Sequence, residues 1–168
     1  MTEPFHAGAA LASMLCVAGA LAGCGADPAS RADLAAQAQA ARQPAELQVG
    51  DVRIHASLAP TASLDAAVAG RYGIEPGRDV QLLLVGVRRG PVHDEASLPA
   101  RVEVRVRDLR GVRQDVPMRE VRADGFVDYV GSVRVAPPDT LAFEVAVRRD
   151  GADAPDVLRF SRDVFPSR

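Results

Sequence analysis

The residues of this chain best suited to chemistry are its two cysteines, and Cys24 is the more informative of them. A stretch without any charged residue, positions 7–23, precedes it and ends in Leu21, Ala22 and Gly23. Small side chains give a peptidase access to an extended backbone, and the thiol that follows is a nucleophile able to form a thioether with a lipid. The pattern predicts cleavage after Gly23 and attachment of lipid to the sulfur of Cys24.

The tetrapeptide Leu21-Ala22-Gly23-Cys24 resembles a bacterial lipobox, which implies an exported lipoprotein. The uncharged stretch is at the lower limit for a helix that crosses about 30 Å of hydrocarbon, and it fits the apolar core of an export signal. The leading segment MTEPFH lacks the lysine or arginine usual in such signals. An uncleaved membrane anchor with an incidental cysteine is the alternative.

The residue after the cysteine bears on the destination of the protein. Position 25 is glycine, whereas aspartate there favours the inner membrane under the sorting rule of enteric bacteria. We therefore expect an outer-membrane lipoprotein that faces the periplasm. The lipid on Cys24 is expected to attach the protein to this membrane.

Histidines offer the next candidates for chemistry. His93, Asp94 and Glu95 are consecutive, and adjacent residues of a loop rarely converge on one ion, so we expect a solvated acidic loop and no metal site. His55 lies in an alternating segment and is expected to point outward, bonded to Asp51 or to a backbone group. No motif for a nucleophile, a cofactor or a phosphate is recognisable, and we expect no catalytic residue and no cofactor.

Composition limits the function classes further. The chain has 168 residues, 48% of them hydrophobic and 25% charged, which is enough for one globular domain with its own core. The formal net charge is -2, so a clustered basic surface for nucleic acid is not expected. The predicted organisation is a signal peptide at 1–23, a lipidated and flexible Ala/Gln-rich tether at 24–45, and a folded domain at 46–168.

The elements of that domain are mainly strands. Residues 101–107, RVEVRVR, alternate strictly between valine and charge, and residues 81–87, QLLLVGV, are apolar on both faces as a central strand would be. Further strands are expected at 52–58, 126–135, 141–148 and 157–164, with a weaker one at 116–121. About seven strands separated by polar turns predict an all-β fold, an antiparallel immunoglobulin-like β-sandwich, with a closed barrel as the alternative.

One segment, residues 61–73, breaks the pattern and predicts a short helix after the first strand. Thr61 or Ser63 is suited to cap its first turn, and Gly73 suits its end. Its apolar side is expected to cover an open end of the sandwich through Leu64, Val68 and Tyr72.

Three stretches together are similar to a family of exported proteobacterial proteins, domain of unknown function 4426. They are GDVRIHAS (50–57) with SLDAAVAGRYGI (63–74), GFVDYVGSVRVAPPDTLAFEVAV (125–147) and LRFSRDVF (158–165). The positions that match the family pattern are Gly50, Asp51, His55, Tyr72, Gly73, Ile74, Tyr129 and Phe143. Val52 and Ala56 depart from it, because the family usually has aromatic residues there. The resemblance implies a secreted or lipid-anchored single domain, and it assigns no activity.

We therefore expect a non-catalytic binding module of the cell envelope that offers a strand edge or loop end to another envelope protein. The first alternative is a small-ligand carrier or enzyme with a cleft near His55, Tyr72 and Tyr129. The second is a purely structural envelope protein.

Overall fold

The computed structural model describes Gln39, residues 43–123 and residues 125–166. The predicted signal peptide, the lipobox with Cys24, and the tether up to residue 42 apart from Gln39 lie outside the described residues. Neither of the helical segments in the described part is long and apolar enough to span a membrane.

The described residues form ten strands and two short helical segments. In chain order the strands are β1 (Ala45–Val49), β2 (Val52–Pro60), β3 (Val80–Arg89), β4 (Ala96–Ser97), β5 (Ala100–Arg107), β6 (Arg113–Val116), β7 (Arg119–Ala123), β8 (Phe126–Arg134), β9 (Asp139–Arg149) and β10 (Asp156–Val164). A 3-10 turn at Thr61–Ser63 and the helix α1 at Ala66–Arg71 lie between β2 and β3.

The strands form two antiparallel sheets. Sheet A has the order β1-β2-β3-β8-β7, and the short β4 also pairs with β3, beyond the end of β8. Sheet B has the order β10-β9-β5-β6. The expected antiparallel sandwich is confirmed and the barrel is not, although the strands outnumber the seven expected.

The core lies between the two sheets and follows from the alternation of side chains along each strand. On β2, the side chains of Val52, Ile54 and Ala56 are fully buried, while those between them point to the outer face. On sheet B, the alternate valines of β5 and β9 point inward in the same way. Two aromatic rings extend this core, since Phe143 on β9 stacks on Phe160 of β10 with ring centres 4.7 Å apart.

The segment predicted as one weak strand at 116–121 is two strands in different sheets. β6 ends at Val116 and β7 begins at Arg119, so Pro117 and Met118 carry the chain from sheet B to sheet A. Proline removes the N–H that a ladder needs, which explains the interruption. β1 was not predicted, and it forms a hairpin with β2 at Gly50, where φ is +61°.

The predicted helix is shorter than expected and is capped differently. Asp65, not Thr61 or Ser63, caps α1, and its carboxylate accepts a hydrogen bond from the N–H of Ala67 at 2.8 Å. Thr61 is instead fully buried; its hydroxyl donates to the carbonyl oxygen of Val80 at 2.9 Å and accepts from the N–H of Gly77 at 3.0 Å.

The placement of this segment also differs from the expectation. It covers the outer face of sheet A rather than an open end of the sandwich. There Ile74, Leu82, Val121 and Val130 form a second apolar cluster, joined by the half-buried Leu64, Tyr72 and Leu84. The buried residue of α1 itself is Ala69, whereas Val68 is only half-buried. Part of sheet A is consequently covered on both faces.

Candidate functional site

Sheet B is incompletely paired beside the first half of β5. On one side, β5 pairs with β9 along the whole length of β5, from Ala100 to Arg107. On the other side, β6 pairs with Val104–Arg107 only. Residues 100–103 therefore have no strand neighbour on this side within the described part of the chain. We call this segment the open edge.

A cleft of about 610 Å³ lies beside the open edge. Its volume is within the range of ligand pockets in proteins, about 300–1,000 Å³. The uncharged residues that line it are Ala100, Val102, Val104, Val116, Met118 and Tyr129. The charged residues that line it are Arg101, Glu103, Arg105, Asp115 and Glu120.

Tyr129 connects the two sheets at the inner end of the cleft. This residue is 5% exposed, and its hydroxyl accepts a hydrogen bond from the N–H of Ala100 at 2.7 Å. The first amide of β5 thus points away from β9. Because alternate residues of a strand direct their N–H groups to the same edge, the N–H of Val102 also points into the cleft.

Gly131 on β8 determines how closely the crossover from β6 to β7 approaches sheet A. A Cβ at this position would lie 2.6 Å from Cγ1 of Val116, 2.7 Å from the sulfur of Met118 and 3.0 Å from the carbonyl oxygen of Pro117. Only glycine allows this approach, which shapes the wall of the cleft opposite the open edge.

Charges at the rim of the cleft are largely paired with one another. Arg101 contacts Glu103 at 3.0 Å, and Arg105 lies 3.7 Å from Asp115. These are exposed pairs, which contribute little to stability. The cleft therefore offers a backbone edge between neutralised side chains. Such an edge is suited to an extended peptide rather than to a single strong charge.

His55 lies elsewhere, on the outer face of sheet A. Its ring covers Gly86 of the neighbouring strand, where a Cβ would come within 2.2 Å of Cε1. Nδ1 is buried and has no hydrogen-bond partner among the described residues. Burial, and then the nearby Arg88 guanidinium, lower the pKa of His55 below its ordinary value. Burial thus favours the neutral form of the ring, which packs over Gly86.

Charged groups surround His55 in two ion-paired sets. Arg88, 6% exposed, pairs with Asp128, 8% exposed, and its guanidinium lies 4.8 Å from the centre of the Phe126 ring. Arg53 pairs with Glu95. Glu46, directly opposite His55 on β1, also contacts Arg53, at 3.5 Å. Within the described residues, all three carboxylates pair with arginines and none hydrogen-bonds His55, so none prepares the ring as a general base.

Two of the expectations for this region are wrong. Asp51 does not bond His55, since its carboxylate contacts Arg89 at 3.1 Å. Glu95 is not a solvated loop residue, because its side chain is 12% exposed and neutralises Arg53. His93 and Asp94 are exposed, as expected for the rest of that loop. Within the described residues, no three His, Cys, Asp or Glu side chains come together as metal ligands could.

The three residues suggested for an alternative cleft are not brought together. Tyr129 points into the core between the sheets, whereas His55 is on the opposite face of sheet A. Tyr72 packs in the apolar cluster under α1. The sheet itself therefore separates Tyr129 from the other two side chains.

Sequence reasoning missed Arg88 and Asp128 as partners. Each is a charged residue at an outward position of an otherwise apolar strand. That irregularity was the available signal, because a charge among buried side chains needs a partner. The spacing between the strands gave no indication that the two would meet.

The described residues thus form a two-layer antiparallel β-sandwich in which residues 100–103 of β5 lack a strand neighbour on one side. The family model described as domain of unknown function (DUF4426) matches residues 46–167, and the chain belongs to this family. The resemblance drawn from the three sequence stretches is thereby confirmed. No curated protein matches the sequence.

Solved structures share the fold at low sequence identity. One is a DUF4426 family protein from Pseudomonas aeruginosa PAO1, with a TM-score of 0.65 and 19% identity over 74% of this chain and 97% of that chain. Another is FetP of a uropathogenic Escherichia coli strain, recombinantly expressed in the periplasm, with a TM-score of 0.55 and 9% identity over 75% and 97% of the two chains. A copper-bound variant of FetP gives a TM-score of 0.54 and 8% identity over 74% and 97%. These likenesses concern the fold alone.

Proposed function

We propose that this protein is an exported lipoprotein, held through Cys24 on the periplasmic side of the outer membrane. We further propose that its sandwich is a non-catalytic module that binds an extended segment of another envelope protein. The anchor rests on Leu21-Ala22-Gly23-Cys24 and the uncharged run before it. FetP, a protein of the same fold, was produced in the periplasm, which agrees with an exported domain.

The observation that carries the binding function is the open edge of β5 beside its cleft. A strand without a neighbour presents unpaired N–H and C=O groups, and an added strand satisfies them. Main-chain hydrogen bonds then supply affinity, while side-chain pockets supply specificity. A partner strand next to residues 100–103 would continue the line of β6, which pairs with the following four residues.

The lining of the cleft agrees with an extended peptide as its occupant. Val102 and Val104 are 9% and 3% exposed, so their side chains belong to the core and leave the backbone as the recognisable feature of the edge. Met118 lies opposite, and methionine adapts its shape to varied apolar side chains.

The anchor is tested by labelling cells that produce the full-length protein with radioactive palmitate. We expect label in the wild type and none in Cys24→Ser, and the intact mass of the purified native protein should correspond to a chain that begins at residue 24. The proposed anchor would be wrong if the wild type took up no label, or if the serine variant were labelled as strongly as the wild type.

The binding edge is tested by photo-crosslinking in cells with p-benzoylphenylalanine at Glu103, a residue that lines the cleft. Val102→Pro removes the N–H that points into the cleft, and Val102→Ala is its matched control because it shortens the same side chain but keeps the N–H. We expect one discrete adduct in the wild type and in Val102→Ala, and its loss in Val102→Pro.

A second probe position makes the result specific to the edge. The same amino acid at Arg159, on the outer face of β10, should not give that adduct. An adduct that persists in Val102→Pro, or that forms equally from Arg159, would show that binding does not use the open edge. The palmitate experiment is independent of this outcome.

A further inference from the structure

Pairs of arginines lie directly opposite each other at three places in the described registers. They are Arg53/Arg88 between β2 and β3, Arg101/Arg148 between β5 and β9, and Arg107/Arg113 between β5 and β6. Like charges directly opposite across two strands are destabilising. Each pair therefore needs acceptors that neutralise it.

Two of these pairs find their acceptors within the protein. In the first, Arg53 pairs with Glu95 and Arg88 pairs with Asp128.

In the second, Arg101 contacts the carboxylate of Glu103 at 3.0 Å. Arg148 donates to the carbonyl oxygen of Asp153 at 3.4 Å.

The third pair has no such acceptor. Within the described part of the chain, neither Arg107 nor Arg113 makes an ion pair or a side-chain hydrogen bond. The carboxylates of the neighbouring row are used by other residues: Glu144 contacts Arg159 at 3.0 Å, and both Glu144 and Asp115 lie near Arg105. Two exposed arginines thus lie directly opposite each other without an acceptor among the described residues.

These two arginines line a concavity of about 610 Å³ on the outer face of sheet B. Ala142 is directly opposite Arg107 on β9, and Ser161 is opposite Ala142 on β10. Small side chains on these two strands leave the space open, and the serine hydroxyl adds a donor. At the far side the lining is the Arg159–Glu144 ion pair, whose charges compensate each other, so the uncompensated positive charge lies at Arg107 and Arg113.

We propose that this concavity is a phosphate-binding site, in which Arg107 and Arg113 bind a phosphate group and Ser161 donates to it. A guanidinium presents its N–H groups in a planar fork that matches the oxygens of phosphate, and two adjacent forks neutralise a dianion. The phosphate is either free in solution or carried by a lipid headgroup. The site is distinct from the open edge of β5, and it does not depend on the proposed lipid anchor.

The test is a calorimetric titration of the full-length chain in a neutral maltoside detergent. One arm adds inorganic phosphate. The second arm adds a short-chain phosphatidylglycerol below its micelle concentration, with the corresponding phosphatidylcholine as the zwitterionic reference. Saturable binding in the first arm assigns a soluble ligand, and binding in the second arm alone assigns a headgroup.

Arg113→Glu is the decisive variant, because it places a carboxylate opposite Arg107. The two side chains can then form an ion pair with each other, without phosphate. We expect it to weaken binding of the active probe by about tenfold or more, the loss expected for at least one charge-assisted hydrogen bond. It should also raise the melting temperature measured without phosphate.

Arg148→Glu is the matched control, since it makes the same charge change on the same face within another opposed arginine pair. It should bind the probe within about twofold of the wild type, an energy change below that of one hydrogen bond. Absence of binding in both arms overturns the proposal. Equal weakening by the two substitutions overturns it as well, because the effect would then be one of net charge.

Discussion

Arg88 and Asp128 form a buried ion pair on a sheet face whose alternation would otherwise place exposed side chains there. Their charges are compensated by one another, by the carbonyl oxygen of Val127 at 2.9 Å from Arg88, and by the Phe126 ring. Such a pair adds little net stability over an apolar packing of similar volume, but the loss of one member leaves an uncompensated charge.

Asp128→Ala is therefore expected to lower the free energy of unfolding by about 3–5 kcal/mol, measured by urea titration at pH 7.5. The matched control is Glu120→Ala, which breaks the exposed 2.8 Å pair with Arg122 and should cost at most about 1 kcal/mol. Similar losses in the two variants would contradict the burial argument.

His55 makes stability depend on pH in a defined direction. Burial first, and Arg88 second, lower the pKa of His55 in the folded state below the unfolded value of about 6.5. As pH falls below about 6.5, the unfolded chain binds a proton that the folded chain does not, so stability present above that pH is progressively lost.

We expect the free energy of unfolding to fall between pH 7.5 and pH 5.5, and to fall less in His55→Gln, which cannot titrate. Urea titrations of both proteins at several pH values measure the difference. A wild-type profile parallel to that of the glutamine variant would show that His55 does not contribute.

At the scale of elements, the crossover from β6 to β7 depends on the missing side chain of Gly131. Gly131→Ala would force Val116 and Met118 away from β8, and overpacking of this kind costs about 1–3 kcal/mol. Thermal melting followed by circular dichroism measures the loss.

Gly70→Ala is the control, because nothing lies within 4 Å of a Cβ at that position in α1. Alanine is a better helix former than glycine, so this variant should melt at an equal or higher temperature. A Gly131→Ala variant that melts with the wild type would mean that the crossover readily moves.

The same elements show what the sequence does and does not reveal. Long alternating or wholly apolar stretches such as 101–107 and 81–87 predicted strands correctly, because burial of one or both faces determines their pattern. The crossover was missed because four-residue strands such as β6 carry too few alternations to be distinguished. The open edge of β5 depends on which strands become neighbours, and so does the Arg107/Arg113 pair; neither can be read from local periodicity.

For the molecule as a whole, coverage of the two sheets is unequal. Sheet A carries the α1 segment over part of its outer face, so Leu82 and Leu83 of β3 are buried on opposite faces, at 5% and 0% exposure. Within the part of the chain that the structure describes, no helix covers the outer face of sheet B. The most stable part of the fold should therefore be β3 with its neighbours.

Native-state hydrogen exchange in low concentrations of urea measures this difference. Amides at the centre of β3 should exchange only through global unfolding. Those of β7, which pairs with β8 alone among the described strands, should exchange through local opening as well. Uniform exchange of both strands would contradict the unequal coverage.

The first and last strands of the domain also meet in space. Arg162 of β10 donates a hydrogen bond to the carbonyl oxygen of Gln43, just before β1, at 2.6 Å. Consider a circular permutant of the domain that starts at Gly111, in an exposed turn between β5 and β6. In it, a short flexible linker joins the end of β10 to the residues before β1, and every strand pairing is retained. This permutant should fold to the same sandwich, because the chain is cut and rejoined at places where no strand has to move.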